Sequence, residues 1–205
     1  MGRIDRLAFL LGGVLVPSVS QAALRVLSIE GEPPGQEILL ALHGLEAKLC
    51  TGRIDSEEFC QRVIQVTGRT LTTRELAQGV QSQIIAEADV LSLINELEKD
   101  YLLQLICDYP REWVLPALPD CGLAQFFPID QIAFIAGYQA ASPRKDLILA
   151  LEEAGVLLPG KTLLVDSDPA RTRNAVRMGI EATIYVSAWR LRRDLRLWGI
   201  MHNNP

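Results

Sequence analysis

The sequence contains few of the residues that build metal centres or disulfide frameworks. It has four cysteines and two histidines in 205 residues, and no cysteine pair has the C-x-x-C spacing of a zinc or redox motif. We therefore predict neither a zinc site nor a disulfide framework, and we expect a reducing cytoplasm as the location. Long apolar runs are also missing, because the run at residues 7–16 is too short to cross a bilayer and no other segment qualifies.

Positive charge is scarce as well. Lysine and arginine number 20 against 25 aspartates and glutamates, which gives a formal net charge of −5. This balance argues against nucleic acid or an anionic membrane as a partner. Hydrophobic residues make up 49% of the chain and charged residues 22%, which is typical of a folded protein rather than a disordered one. The length fits one domain, or a core domain with one insert.

Short apolar runs bounded by turn residues recur along the chain, as buried parallel strands would. Between the later runs lie patterns of helical length, which right-handed crossovers require. One such helix spans residues 144–154, and another, 169–178, begins at a proline and ends before Gly179. The pattern predicts an alternating β/α core. The five predicted strands are residues 7–11, 102–106, 132–136, 162–165 and 182–186.

Residues 18–88 interrupt this alternation with a pattern that predicts helices throughout. Two of these helices begin with a capping box, in which a short polar residue is followed three positions later by glutamate: Asp55 with Glu58, and Thr72 with Glu75. We therefore expect a core made of residues 1–17 and 89–205 and an inserted helical segment at 18–88. The predicted helices here are 36–50, 55–66 and 72–86, and a helix at 89–99 leads back to the second strand.

Several stretches carry a family resemblance. Residues 7–15, Leu-Ala-Phe-Leu-Leu-Gly-Gly-Val-Leu, and residues 163–169 with the later Gly179 resemble motifs of the haloacid dehalogenase-like (HAD) hydrolase superfamily. Residues 52–59 are similar to a stretch of the helical cap that this superfamily inserts after its first strand. The resemblance implies a Rossmann-like three-layer α/β core, with a parallel five-stranded sheet in the order 3-2-1-4-5, and an all-helical cap at 18–88. The site would lie at the carboxyl ends of the strands, where the first and fourth strands adjoin.

The N-terminal segment has two interpretations. Arg3 and Arg6 precede an apolar run, and residues 19–22, Val-Ser-Gln-Ala, resemble the small-residue cleavage site of a signal peptide. The same run fits the first strand of the superfamily, with Gly12 and Gly13 where its first loop would lie. We favour the strand and keep the signal peptide as the alternative.

The resemblance implies that the residues at three catalytic positions of the superfamily cannot perform the superfamily's reaction here. The nucleophilic aspartate of the superfamily corresponds to Leu10, whose side chain has no lone pair and cannot attack a substrate. The acid–base position corresponds to Gly12, which offers no proton. The hydroxyl that binds a phosphoryl oxygen corresponds to Cys107, and a thiol is a weak donor.

The positions that would neutralise charge are altered too. The lysine position of the superfamily corresponds to Ser142, with Lys145 three residues further along the chain. Of two neighbouring acids that usually bind magnesium, only Asp166 of the pair Asp166-Ser167 matches. Magnesium needs a compact set of oxygen ligands, so Asp166 beside Leu10 would hold the ion poorly. We therefore predict no metal and no catalytic residues, and a ligand pocket that includes Leu10, Cys107, Asp108 and Asp166.

Structural roles would also explain the polar residues that are left. Asp166 could satisfy backbone donors in the adjoining turn or cap the helix that begins at residue 169. Cys107 fits a small buried hydrophobe better than a reactive thiol. Asp108 and Asp168 fit a solvated loop, although they could also add carboxylates to an unusual metal centre.

Two functions of different classes follow. The first is a binding or regulatory protein that has lost catalysis but keeps the pocket between core and cap for a small molecule, or uses a surface for a protein partner. The alternative is a phosphatase-like or dehalogenase-like hydrolase with relocated catalytic residues, drawn from Asp108, Asp166, Asp168 and Cys107. Magnesium would be a cofactor under the alternative only.

Two further patterns have ordinary explanations. Residues 164–169 also resemble the opening strand of two-component receiver domains, but the chain ends too soon for the phosphate-accepting aspartate of that family. The final helix, 188–198, carries four arginines opposite Leu191, Leu195 and Trp198. That face could bind an anionic partner, and the favoured interpretation is the solvated side of an amphipathic helix.

Overall fold

The computed structural model describes residues 3–28, 35–135 and 147–201. Within them, five parallel strands form one sheet, and its order confirms the predicted 3-2-1-4-5. The strands lie close to their predicted positions, although β2 and β4 each continue one residue further. They are β1 (Arg6–Leu10), β2 (Leu102–Cys107), β3 (Ile132–Phe134), β4 (Thr162–Asp166) and β5 (Glu181–Ile184).

The sheet is built around β1, which pairs with β2 on one side and with β4 on the other. Leu7, Ala8 and Phe9 have no exposed surface, as expected for a central strand covered on both faces. The residues after Phe9 and its partner Val165 are Leu10 and Asp166. Both therefore lie at the carboxyl edge, as the sheet order predicts.

The described helices agree with most of those predicted. The helix at 36–50 has its predicted bounds, whereas the helix at 72–86 ends at Ser82. The helices are α1 (Val19–Ser28), α2 (Gln36–Cys50), α3 (Ser56–Thr67), α4 (Thr73–Ser82), α5 (Ala88–Leu97), α6 (Arg111–Ala117), α7 (Leu147–Glu153), α8 (Pro169–Arg177) and α9 (Ala188–Leu197). None of them combines the length and apolar character that a membrane span needs.

Two helices, α1 and α6, are additions to the predicted elements. Helix α1 lies in the segment predicted to be helical, although it was not among the helices given bounds, and its buried residues Val19, Ala22, Ala23 and Leu27 recur with helical spacing. In α6, Pro116 lies inside a helix of seven residues. Proline usually ends or kinks a helix, so this sequence pattern does not favour one.

In the described residues between β1 and α5, the regular elements are the four helices α1 to α4. Helix α1 packs against α2 and α4, and α3 also packs against α2 and α4. The capping box of α4 is complete, since Thr72 N donates to Glu75 Oε2 at 2.8 Å and Glu75 N to Thr72 Oγ1 at 3.2 Å. Asp55 caps α3 by accepting a hydrogen bond from Glu58 N at 2.7 Å. These caps fix where the two helices begin.

Candidate functional site

A cleft of about 880 Å³ lies over the carboxyl ends of β1, β2 and β4 and against α1 and α2. Its floor includes Gly12 and Gly13 after β1, and Asp108 after β2. Its wall includes His43 and Glu46 of α2. On the other side it is bounded by residues after β4: Ser167, Asp168 and Arg171.

The residues that the sequence assigns to the pocket differ in their access to this cleft. Asp108 lines it, whereas Leu10, Cys107 and Asp166 do not. Leu10 is 2% exposed, and Cys107 and Asp166 have no exposed surface. Ser142 lies outside the described residues.

Asp166 is held by an arginine that the sequence motifs did not reveal. Arg171 donates from Nε to Asp166 Oδ2 at 2.7 Å and from Nη2 to Oδ1 at 2.9 Å. Asp166 Oδ1 also accepts a hydrogen bond from Asp168 N at 2.8 Å. This planar, bidentate geometry is the strongest form of a carboxylate–guanidinium pair. Both oxygens of the one acid that matches the metal motif are therefore engaged.

Helix α8 places Arg171 in this position. Asp168 caps the helix, because its Oδ1 accepts a hydrogen bond from Ala170 N at 2.7 Å, and Pro169 occupies the first turn. Arg171 then lies in the first turn, and its side chain reaches back to the end of β4. Asp168, and not Asp166, therefore caps this helix. Asp166 instead accepts a hydrogen bond from the backbone of the turn.

Three carboxylates surround the guanidinium of Arg171. Besides its bonds to Asp166, it lies 4.0 Å from Asp108 Oδ2 and 3.9 Å from Asp168 Oδ2. Burial opposes the charge of Arg171, but the hydrogen bonds to Asp166 and the three carboxylates outweigh it, so its pKa is raised. The arginine is a permanent cation in the site.

This arrangement does not fit a magnesium site. The ion needs several oxygen ligands at short distance, and the oxygens of Asp166 already accept from Arg171 and from the backbone. Across the described parts of the chain, no group of three or more His, Cys, Asp or Glu residues could hold a metal ion. Asp108, Asp166 and Asp168 do approach one another, but around a guanidinium.

Asp108 occupies the space that a side chain at position 12 would fill. Asp108 Oδ1 accepts a hydrogen bond from Gly12 N at 2.8 Å. A Cβ on residue 12 would lie 2.9 Å from Asp108 Oδ1 and 3.0 Å from Oδ2. Glycine at position 12 therefore makes room for a carboxyl group that comes from the neighbouring strand. Burial raises the pKa of Asp108 to about 7, although Arg171 and the bond from Gly12 favour its ionised form.

Burial explains the chemistry of Cys107, and backbone geometry explains the glycine at position 13. Burial raises the pKa of the Cys107 thiol well above its usual value, which favours the unreactive form. Ser167 packs so closely over Gly13 that any Cβ there would overlap its Oγ, and Gly13 has a φ of 76°. Glycine adopts such a φ without steric cost, so this turn depends on Gly13.

Three of the four arginines of α9 form ion pairs. Arg190 and Arg193 lie 3.2 and 3.1 Å from the carboxylate of Asp194, and Arg192 bonds to Glu96 of α5. Leu191 and Leu195 are buried. These contacts fit the solvated face of an amphipathic helix.

Three solved structures that share this fold are a HAD family enzyme, a HAD-like family hydrolase and a haloacid dehalogenase. A HAD family enzyme from Bacteroides thetaiotaomicron matches with a TM-score of 0.65 and 18% identity, over 90% of this chain and 94% of the other. A HAD-like family hydrolase from Porphyromonas gingivalis matches with 0.64 and 22%, over 96% and 98%. L-2-haloacid dehalogenase from Xanthobacter autotrophicus matches with 0.67 and 17%, over 97% and 85%.

Comparisons of sequence add no relatives. No family model matches the chain, and no curated protein matches it. At these identities the structural likeness establishes the fold alone. The chain has the α/β fold of the haloacid dehalogenase-like hydrolases.

Proposed function

We propose that the protein is a non-catalytic relative of the haloacid dehalogenase-like hydrolases that binds a small molecule in the cleft between the sheet and α2. One observation carries this proposal: Arg171 engages both oxygens of Asp166. A side-chain cation thus neutralises the acid that would otherwise face a metal ion.

The position of the nucleophile supports the same conclusion. Phosphoryl transfer and dehalogenation in this superfamily both begin with attack by the aspartate that corresponds to Leu10. Leu10 is buried and cannot form a covalent intermediate. The Bacteroides thetaiotaomicron enzyme has been solved with magnesium and inorganic phosphate, whereas Arg171 leaves this chain without a comparable set of free oxygens at Asp166.

We infer the domain organisation and location as well. Residues 18–88 form a cap over a core of residues 1–17 and 89–205, supported by the mutual packing of α1 to α4. The four cysteines are all buried and free, which fits a reducing cytoplasm. The net charge of −5 supports a small molecule or protein as the partner rather than nucleic acid or a membrane surface.

The test is hydrolysis of p-nitrophenyl phosphate with millimolar magnesium. We expect no turnover above background by the wild-type protein. Leu10→Asp should not gain activity either, because Arg171 still holds Asp166 and the acid–base side chain at position 12 is absent. Wild-type turnover that disappears in Asp166→Ala would contradict the proposal.

A hydrolase with relocated residues is the second candidate, and Asp108 favours it. A carboxyl group with a pKa of about 7 is well matched to general acid–base catalysis near neutral pH. This candidate predicts hydrolysis of a phosphomonoester or of 2-chloropropionate that is lost in Asp108→Asn and retained in Asp130→Asn, at an exposed position. Equal background rates in all three proteins would exclude it for these substrates.

A further inference from the structure

The described lining of the cleft carries more acid than base. Glu46 comes from α2, Asp108 follows β2, and Asp168 caps α8. Among the described lining residues, Arg171 is the one arginine, and no lysine lines the cleft. The charge of Arg171 is already balanced by its bidentate pair with Asp166. Among the described lining residues, a ligand therefore meets more carboxylates than arginine or lysine side chains.

Asp108 presents an oxygen that lacks a hydrogen-bond donor. Its side chain is 6% exposed, and Oδ1 accepts a bond from Gly12 N. In the described parts of the chain nothing donates to Oδ2, whose nearest cation, Arg171 Nη2, lies 4.0 Å away, beyond hydrogen-bonding distance. Because Asp108 lines the cleft, a bound ligand could supply a donor to this oxygen.

Glu46 is a second carboxylate at the same cleft, carried by the wall rather than the floor. Its Oε2 accepts a hydrogen bond from Ser20 Oγ at 2.7 Å, which orients the carboxylate. No described residue donates to its other oxygen. Glu46 and Asp108 line the same cleft, and the charge of Glu46 raises the pKa of Asp108.

We propose that the cleft binds an organic cation, with a protonated amine held between Asp108 and Glu46. This inference rests on the proposed function of the cleft as a ligand site. An ammonium group supplies several N–H donors and a positive charge, which are what these two carboxylates lack. Ala47, Cys50 and Leu147 line the same cleft and offer apolar surface for a carbon chain. A phosphate or carboxylate ligand would instead be repelled by Asp108 and Glu46. The guanidinium of Arg171 is already paired with Asp166.

The experiment measures the thermal midpoint and binding heat at pH 8 with four probes: butylamine, 1,4-diaminobutane, butyrate and inorganic phosphate, all at one ionic strength. We expect a saturable rise in the midpoint with at least one of the two amines. Affinity for that amine should fall at least tenfold in Asp108→Asn and in Glu46→Gln. Glu37→Gln removes an exposed charge at the start of the same helix, outside the cleft, and should leave binding unchanged.

Three results would overturn the inference. The first is that neither amine binds at millimolar concentration, and the second is that binding persists unchanged in both cleft variants. The third is that butyrate or phosphate binds instead and is lost in Arg171→Met, which would leave a ligand site standing but reverse its charge preference. Phosphomonoester turnover, by contrast, would refute the proposed loss of catalysis, so the two failures are distinguishable. Glu46 is only partly buried, which makes Glu46→Gln informative even if Asp108→Asn folds poorly.

Discussion

Arg171 donates two hydrogen bonds to Asp166, from Nε to Oδ2 at 2.7 Å and from Nη2 to Oδ1 at 2.9 Å. The carboxylate has no exposed surface, whereas the arginine side chain is 26% exposed. A buried carboxylate at the end of a central strand therefore receives its counter-charge from a residue five positions later in the chain. The pair ties the first turn of α8 to β4.

Arg171→Met should destabilise the protein strongly. The substitution keeps a long side chain but leaves Asp166 as an uncompensated buried charge, which typically costs about 3–5 kcal/mol. Denaturant unfolding at pH 7.5 measures the loss. Arg173→Met, at an exposed position of the same helix, is the matched control and should change stability by less than about 0.5 kcal/mol.

A double-mutant cycle separates the ion pair from the packing of Arg171. Adding Asp166→Asn to Arg171→Met removes the orphaned charge, so the double variant should be more stable than Arg171→Met alone. The expected coupling between the two sites is about 1–3 kcal/mol. Purely additive losses would show that the two residues contribute separately, and would contradict a stabilising interaction between them.

Magnesium should leave the thermal midpoint unchanged up to 10 mM. A bound ion would raise the midpoint by mass action, but Arg171 occupies the oxygens of Asp166 that the ion would need. Differential scanning fluorimetry with magnesium, and with sodium chloride at equal ionic strength, measures the effect. A saturable, magnesium-specific rise that vanishes in Asp166→Ala would show that the ion displaces the guanidinium.

The buried carboxyl of Asp108 should make stability fall as pH rises from about 4 to 7. Its pKa is about 7 in the folded protein against 3.8 ordinarily, so the unfolded chain binds fewer protons over this range. The free energy of unfolding therefore decreases with pH through this window and is insensitive to Asp108 above and below it. A shift of this size is worth at most about 4 kcal/mol, at roughly 1.4 kcal/mol per unit.

Asp108→Asn isolates this contribution. Asparagine has no charge to bury and can still accept the hydrogen bond from Gly12 N, so the variant should gain stability relative to wild type as pH rises from 4 to 8. Urea unfolding at several pH values gives the difference curve. Asp130→Asn, at an exposed carboxylate, is the control. A difference curve for Asp108→Asn that is flat, or slopes the other way, would contradict a protonated Asp108.

Gly12→Ala should be destabilising by about 1–3 kcal/mol, the usual cost of overpacking. The added Cβ would lie 2.9 Å from Asp108 Oδ1, so the carboxylate would have to move and weaken its bond from Gly12 N. Gly44→Ala is the matched control, since a Cβ there meets nothing within 4 Å and Gly44 lies inside α2. That variant should gain about 0.5–1 kcal/mol from helix propensity.

The Asp108→Ala background tests whether the carboxylate of Asp108 causes the cost of Gly12→Ala. In an Asp108→Ala background the obstructing carboxylate is gone, so Gly12→Ala should cost much less. An equal cost in both backgrounds would mean that the backbone at position 12, rather than Asp108, requires glycine.

Much of the fold follows from local features of the sequence. Apolar runs of strand length, bounded by turn residues, are visible without any contact information, and they predict all five strands within a few residues. The capping pattern at Thr72 and Glu75 likewise predicts where a helix begins. The sequence did not predict that α4 ends at Ser82, because the helical pattern of the sequence continues to Ala86.

The sequence by itself determined the sheet order, through the resemblance it carries, and the chemistry available at position 10, because a leucine side chain has no lone pair in any fold. Only the tertiary structure decided which side chains meet at the carboxyl edge of the sheet. Asp108 reaches Gly12 from 96 residues away, and Arg171 turns back from α8 to pair with Asp166. Neither contact has a sequence period or spacing that predicts it. The first contact depends on parallel strands bringing their carboxyl ends to one edge of the sheet, where residues distant in sequence meet. The second depends on the turn that leads from β4 into α8.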